Sequence, residues 1–296
     1  MDFETRPNIQ GIKTFLLGFF CLCLLTGCSS EFLYNRVDRL AQFYIERYID
    51  LDRDQSNSLK VNLEQLREWH RQNELSEYLK FLNQIEMDIQ ADITPKTIAG
   101  WMSKTRTAYF RIRDQAIPAL IEIAGTLTPA QVEAFSGRLE KRNRELEKEY
   151  LSRDETEYRE YIFEEMDDRL SYWLGKLTDG QKLRLEETAE RIERLDAQWL
   201  AGRRSWQGRV INELERKPGW RERLTALIMN RTEYTNPEDL DANNRNERRI
   251  YTAVSDVMNM RTEKQQRKLL KKLRKWKGNL ASLQETNKRS RKEKES

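Results

Sequence analysis

The chain runs to 296 residues and carries 53 Lys+Arg against 49 Asp+Glu, a net charge of +4. Charged residues make up 34% of it, with 12 Gly, 6 Pro and apolar residues that are spaced rather than clustered, the profile of long amphipathic helices. A single histidine excludes His-rich metal centres and any Ser-His-Asp triad not centred on His70.

In chain order, Arg6 and Lys13 precede an apolar run from Phe15 to Leu25, which has the length of a signal-peptide core and is too short to cross a bilayer. Leu25-Thr26-Gly27-Cys28 closes the run. This stretch resembles the lipobox of bacterial lipoproteins. The resemblance implies cleavage before Cys28, lipid on its thiol and new amino group, and, with Ser29 rather than Asp following, export to the outer membrane; several acyl chains give stable anchoring where one is marginal. Cys21 and Cys23 are then discarded and Cys28 is consumed, so the mature chain keeps no free thiol or disulfide and folds on packing alone.

Only Ser29, Ser30 and Glu31 lie between the cysteine and the first apolar positions, so the domain is expected to sit close to the membrane. Leu33, Val37, Leu40, Tyr44 and Tyr48 fall at three- and four-residue steps and predict one inward helical face. Asp52 and Gln55 read as a capping box. Leu59, Leu63, Leu66 and His70 continue a face, with His70 expected to be partly buried and hydrogen-bonded rather than reactive. Leu75, Tyr78, Leu79, Leu82, Ile85 and Ile89 predict a further helix.

Thr94-Pro95 opens a helix carrying Ile98, Trp101, Met102, Tyr109 and Ile112, which Pro118 is expected to kink or break. Leu127-Thr128-Pro129-Ala130-Gln131 opens the next, and residues 152–155 bend or restart it. Tyr158, Ile162, Met166, Leu170, Trp173 and Leu174 then form a stripe opposite a charged face whose carboxylates, Glu164, Glu165, Asp167 and Asp168, read as solvated. Leu177-Thr178-Asp179-Gly180-Gln181 starts a helix through Leu185, Ile192, Leu195 and Trp199 that ends at Lys217-Pro218-Gly219. Residues 230–246 read as a loop. A helix over Ile250 to Met258 follows, and Thr262-Glu263-Lys264-Gln265 opens the last one.

The start signal [Thr/Asp]-x-x-Gln thus recurs at 52, 128, 178 and 262, at spacings too uneven for a solenoid. Its two Leu-Thr-x-x-Gln copies resemble the motif of small periplasmic chaperones of the Spy and CpxP type, which implies a non-enzymatic helical binding module. Over nearly the whole mature chain, the lipobox followed by Leu33-Tyr34-Asn35-Arg36-Val37-Asp38, then Tyr48-Ile49-Asp50-Leu51, the Trp69-His70 pair and the Leu-Thr-x-x-Gln copies resemble a proteobacterial lipoprotein family known only as domain of unknown function 6279. That resemblance implies a helical envelope lipoprotein and supplies no activity.

The expected architecture is therefore all-α, an elongated multi-helix domain of long amphipathic helices after a cleaved lipoprotein signal peptide. The signal covers residues 1–27, the helical domain 28–283 and a basic, disordered tail 284–296. From Lys264 to Ser296 there are 13 Lys/Arg against 3 Glu. Lys268, Lys271, Lys272, Arg274 and Lys275, with Lys288, Arg289, Arg291 and Lys292 in the tail, are the candidate residues for anions or a partner, as Cys28 is for lipid. The apolar stripe of Leu269, Leu270, Leu273 and Trp276 either packs in the core or lies on an anionic membrane. The expected function is that of a membrane-anchored, periplasm-facing module on the outer membrane. It would bind an envelope protein client, anionic lipid or lipopolysaccharide, with no catalytic residue, no metal, no cofactor and no nucleic-acid partner. The competing expectation is a carboxylate-dependent cell-wall glycan hydrolase.

Overall fold

A computed structural model describes residues 34–231 and 236–295, with side chains as far as Glu285. The described residues form ten α-helices and no strand, the all-α class expected from periodicity. These are α1 (Val37–Glu46), α2 (Arg53–Asp88), α3 (Pro95–Thr126), α4 (Pro129–Leu151), α5 (Glu155–Leu174), α6 (Asp179–Ala189), α7 (Asp196–Glu213), α8 (Trp220–Met229), α9 (Pro237–Asn259) and α10 (Glu263–Glu295).

The helix starts follow local chemistry. Asp52, Thr94, Thr128, Asp154 and Thr178 each complete a reciprocal capping box with the residue three positions on. Thr262 does the same with Gln265, whose Oε1 accepts from the Thr262 amide at 2.9 Å. Each such cap contributes about 1 kcal/mol.

Four of these boxes also meet in pairs. Gln55 donates to Gln131 Oε1 at 3.2 Å and Gln131 donates back to Gln55 Oε1 at 2.7 Å. The second hydrogen of each amide goes to a carbonyl before the partner helix, Gln55 to Thr126 (2.9 Å) and Gln131 to Asp50 (2.6 Å). Gln181 and Gln265 repeat the arrangement, at 3.1 and 2.8 Å to each other and 3.0 Å to the carbonyls of Val257 and Lys176. The first junction joins the starts of α2 and α4, and the second those of α6 and α10. Seven residues beyond each second glutamine a cation reaches back to a tyrosine carbonyl: Arg138 to Tyr48 at 2.9 Å, and Lys272 to Tyr172.

Three apolar clusters surround these junctions. The largest joins α2, α3, α5, α6, α9 and α10 through residues such as Leu75, Leu82, Tyr158, Ile162, Leu185, Val257, Trp276 and Leu280. A second, around Leu59, Ile117, Ile121, Leu127, Leu214 and Trp220, joins α2, α3, α7 and α8. A third packs Leu146 and Tyr150 of α4 on Trp199 and Leu200 of α7 and Ala242 of α9. Each fully buried large side chain contributes roughly 1.5–3 kcal/mol.

Four expectations need correction. The segments expected as separate helices around residues 59–70 and 75–89 are one 36-residue α2, because nothing between them breaks the helical ladder. Pro118 neither ends nor breaks α3, which continues to Thr126 with Ile117, Ile121 and Ile123 in the core; packing outweighs the one backbone bond that proline removes. The helix expected to run on past Ile192 stops at Ala189 and restarts at Asp196. Most of the loop expected at 230–246 is helix, since Asn236 caps α9 at the Glu238 amide (2.9 Å) and Asn243 and Asn246 face inward. Asn246 bonds both backbone groups of Glu193, at 2.9 and 2.8 Å, and Asn259 bonds both of Ile93, at 2.8 Å each.

The junctions set an energetic expectation. Gln181→Ala strands the buried amide of Gln265, and the reverse holds for Gln265→Ala; each should cost roughly 1–3 kcal/mol in urea unfolding. The double variant removes both partners and should cost less than the sum of the two. Additive losses would show that the amides do not act as a pair.

Candidate functional site

Helix α10 carries most of the candidate partner-binding residues. Its stripe is seated in the largest core, with Leu269, Leu273, Trp276, Leu280 and Leu283 all buried and Trp276 against Trp173 at 5.3 Å between ring centroids. Of the two expectations for the stripe, core packing holds. The burial of one face turns the other to solvent: Lys264, Arg267, Lys268, Lys271, Arg274 and Lys275 are exposed along it.

Few acids neutralise that face. Glu263 reaches Arg267 at 3.3 Å, and Glu86 pairs with Lys277 and lies 3.9 Å from Arg274. Lys272 is half-buried, donates to the Tyr172 carbonyl and sits 3.4 Å from the centre of that ring. Lys268 lies over Gly175, whose φ of +87° ends α5; a Cβ built there would come within 2.7 Å of Lys268 Nζ. Both lysines thus crowd the carbonyl end of α5, where positive charge is favoured. Lys271, Arg274 and Lys275, also named as candidates for anions or a partner, are exposed. The backbone of α10 continues to Glu295, while the side chains of Lys288, Arg289, Arg291 and Lys292, and all of Cys28, lie outside the described residues.

The buried carboxylates face arginines. Glu74, 1% exposed, takes Arg111 at 2.7 and 2.6 Å; Asp38 meets Arg67 at 2.8 Å and Asp196 meets Arg194 at 3.0 Å. Arg245 and Arg249 hold the Glu193 carboxyl down at about 2. A glycan-cleaving acid needs the opposite, a carboxyl pushed up towards neutrality. Among the described residues no group of three or more His, Cys, Asp or Glu is arranged to hold a metal ion. An open groove of about 470 Å³ between α3 and α8 is lined by Ile117, Pro118, Ile121, Glu122, Gly125 and Arg221.

His70 is half-buried and hydrogen-bonded, as expected. Its Nδ1 lies 2.8 Å from the Tyr34 hydroxyl and its Nε2 3.1 Å from that of Tyr78. Burial is the main force lowering its pKa to about 4, against the pull of Glu74.

Helix α1 departs from expectation. Leu40 and Tyr44, assigned to the inward face, point outward with Phe43, at 47%, 36% and 66% exposure. The inward side mixes half-buried Val37, Ala41 and Ile45 with polar contacts: Asp38 takes Arg67, and Gln42 and Glu46 reach Ser56 Oγ at 2.9 and 2.6 Å. Two apolar stripes share this helix, Val37-Ala41-Ile45 and Leu40-Phe43-Tyr44. Counting residue steps alone does not choose between them; the presence of Asp38 and Glu46 for polar partners on α2 does.

Residues 47–240 match the family described as "Family of unknown function (DUF6279)". No curated protein and no solved structure matches the chain.

His70 makes the fold sensitive to acid in a defined window. The unfolded chain binds its proton near pH 6.5 and the folded chain only near 4, so stability is complete above 6.5 and falls with pH towards 4. The slope is at most about 1.4 kcal/mol per pH unit. His70→Gln, which cannot take that proton, should flatten urea stability between pH 7 and 5. An equally steep fall in that variant would remove His70 as the cause.

Proposed function

The chain belongs to the DUF6279 family, and because that family supplies no activity we propose a function from the residues: a lipid-anchored, non-enzymatic binding module of the bacterial envelope. The anchor is Cys28, and the module faces the periplasm from the outer membrane. Its partner is an acidic envelope protein or client, or the anionic groups of lipid or lipopolysaccharide. The observation that carries this reading is the division of α10 into a buried apolar stripe and an exposed basic face. Cations held along one side of a core-packed helix are already ordered before a partner arrives, which lowers the entropy lost on binding. Each buried carboxylate is already committed to an arginine of the fold, which supports binding over glycan hydrolysis. The two Leu-Thr-x-x-Gln starts serve in this fold as helix caps, each paired with a different start, so client binding rests on the basic face alone.

Two experiments test the reading. Mass spectrometry of the mature protein should find acyl chains on Cys28, and a Cys28→Ser variant should lose them. The charge reversals Lys271→Glu, Arg274→Glu and Lys275→Glu should weaken binding to anionic vesicles or to an unfolded acidic client severalfold. They should also reduce the dependence of that binding on salt, because exposed charge pairs are screened. Helix content should stay unchanged. Clearing of a cell-wall zymogram by the wild-type chain, abolished by a carboxylate variant, would replace this function with the hydrolase.

A further inference from the structure

Helix α1 turns Asp38, Gln42 and Glu46 towards α2, with Val37, Ala41 and Ile45 half-buried, and leaves a second apolar strip outside. Phe43, Leu40 and Tyr44 form the outward strip, and the exposed Arg39 and Arg47 flank it. No acidic residue shares that face: Asp38 is buried on Arg67, and Glu46 is half-buried and bonded to Ser56. The basic character continues beside the strip. Tyr44 adjoins Tyr48 at 5.5 Å, and next to both tyrosines lies Arg203 of α7. Arg203 donates to Asn143 Oδ1 at 2.9 Å and to no carboxylate among the described residues. Burial, with the nearby guanidinium groups of Arg231 and Arg142, pushes its pKa down.

The chain itself selects the occupant of this face. Val37 follows Cys28 by nine residues, a span of at most about 30 Å when fully extended. A lipid on Cys28 therefore keeps α1 at the bilayer surface. An apolar strip edged by cations suits the boundary between headgroups and acyl chains. A second copy of the chain fits less well, since a two-fold contact would set Arg39 and Arg47 against themselves with no acid to meet them.

We propose that the outward face of α1, through Leu40, Phe43 and Tyr44, lies in the headgroup layer of the anionic bilayer that carries the anchor, with Arg39 and Arg47 on lipid phosphates. The proposal rests on lipidation at Cys28.

The test uses the full lipidated chain in vesicles of phosphatidylethanolamine and phosphatidylglycerol. One nitroxide is placed through Leu40→Cys, Phe43→Cys or, as a water-exposed control on α2, Val61→Cys. The ratio of oxygen to nickel-chelate collisions should be severalfold higher at 40 and 43 than at 61. Adding Phe43→Asp and Arg47→Glu should bring the ratio at 40 down to the control value while the protein still floats with the vesicles. A floating protein whose label at 43 is as open to the chelate as the label at 61 would overturn the proposal and leave the anchor standing. Dipolar broadening between labels of neighbouring copies would overturn it in favour of self-association. A protein that neither floats nor carries lipid mass on Cys28 would overturn the anchored function and this proposal with it.

Discussion

Everything in this fold hangs on how helix starts are held together, because the chain has no sheet among its described residues to fix the helices in register. The constraint is the glutamine amide. Each of the four has one acceptor oxygen and two donor hydrogens, and every one of these finds a partner inside the junction: the cap amide, the other glutamine, and a carbonyl just before the facing helix. A buried amide left half-bonded is costly, so the complete junction is favoured over a partial one. That preference favours the register in which α2 meets α4 and α6 meets α10. The apolar stripes then have only one way to face each other.

The second junction also explains the state of α10. Gln265, 4% exposed, pins the start of the helix beside Lys176, and the stripe that follows drops into the largest core. A helix held so firmly by one face cannot roll its tryptophan onto a membrane. What remains available is charge, and it is available in a fixed geometry. Helix α1 is the reverse case, since its bonds to α2 are polar and Leu40, Phe43 and Tyr44 are left over.

Legibility in the sequence follows the range of the physics. The caps at Asp52, Thr94, Thr128 and Thr178 were readable because a capping box is complete within four residues. The stripes of α5 and α10 were readable because each has one apolar face and one charged face. The survival of α3 past Pro118 was not, because packing against distant helices decided it, and the run of α2 through residues 70–75 was missed because its apolar spacing shifts there while nothing breaks the helical ladder. Asn243 and Asn246 look like loop residues, yet the latter serves as backbone partner to a turn 53 residues away. The four start signals were visible, but which pairs with which was not: separations of 76 and 84 residues carry no local trace of a contact. Of the candidate basic residues, Lys268 and Lys272 proved to lie on the end of α5, a role set by Gly175 and Tyr172 that charge counting does not anticipate.

The pairing of α2 with α10 reaches beyond the static fold. Ile89 takes Arg261 on its carbonyl and Glu86 takes Lys277, so one of the earliest helices to be made is sealed by the last, across 191 residues of sequence in the latter case. Contacts of such separation are slow to form, because the chain between them must be closed first. A growing chain stopped anywhere before residue 265 would hold Gln181 without its partner and leave Leu75, Leu82 and Leu185 without the wall that α10 provides. Its largest core therefore closes only once α10 has been made, and until then the greasy side of α2 needs shelter from something other than its own fold.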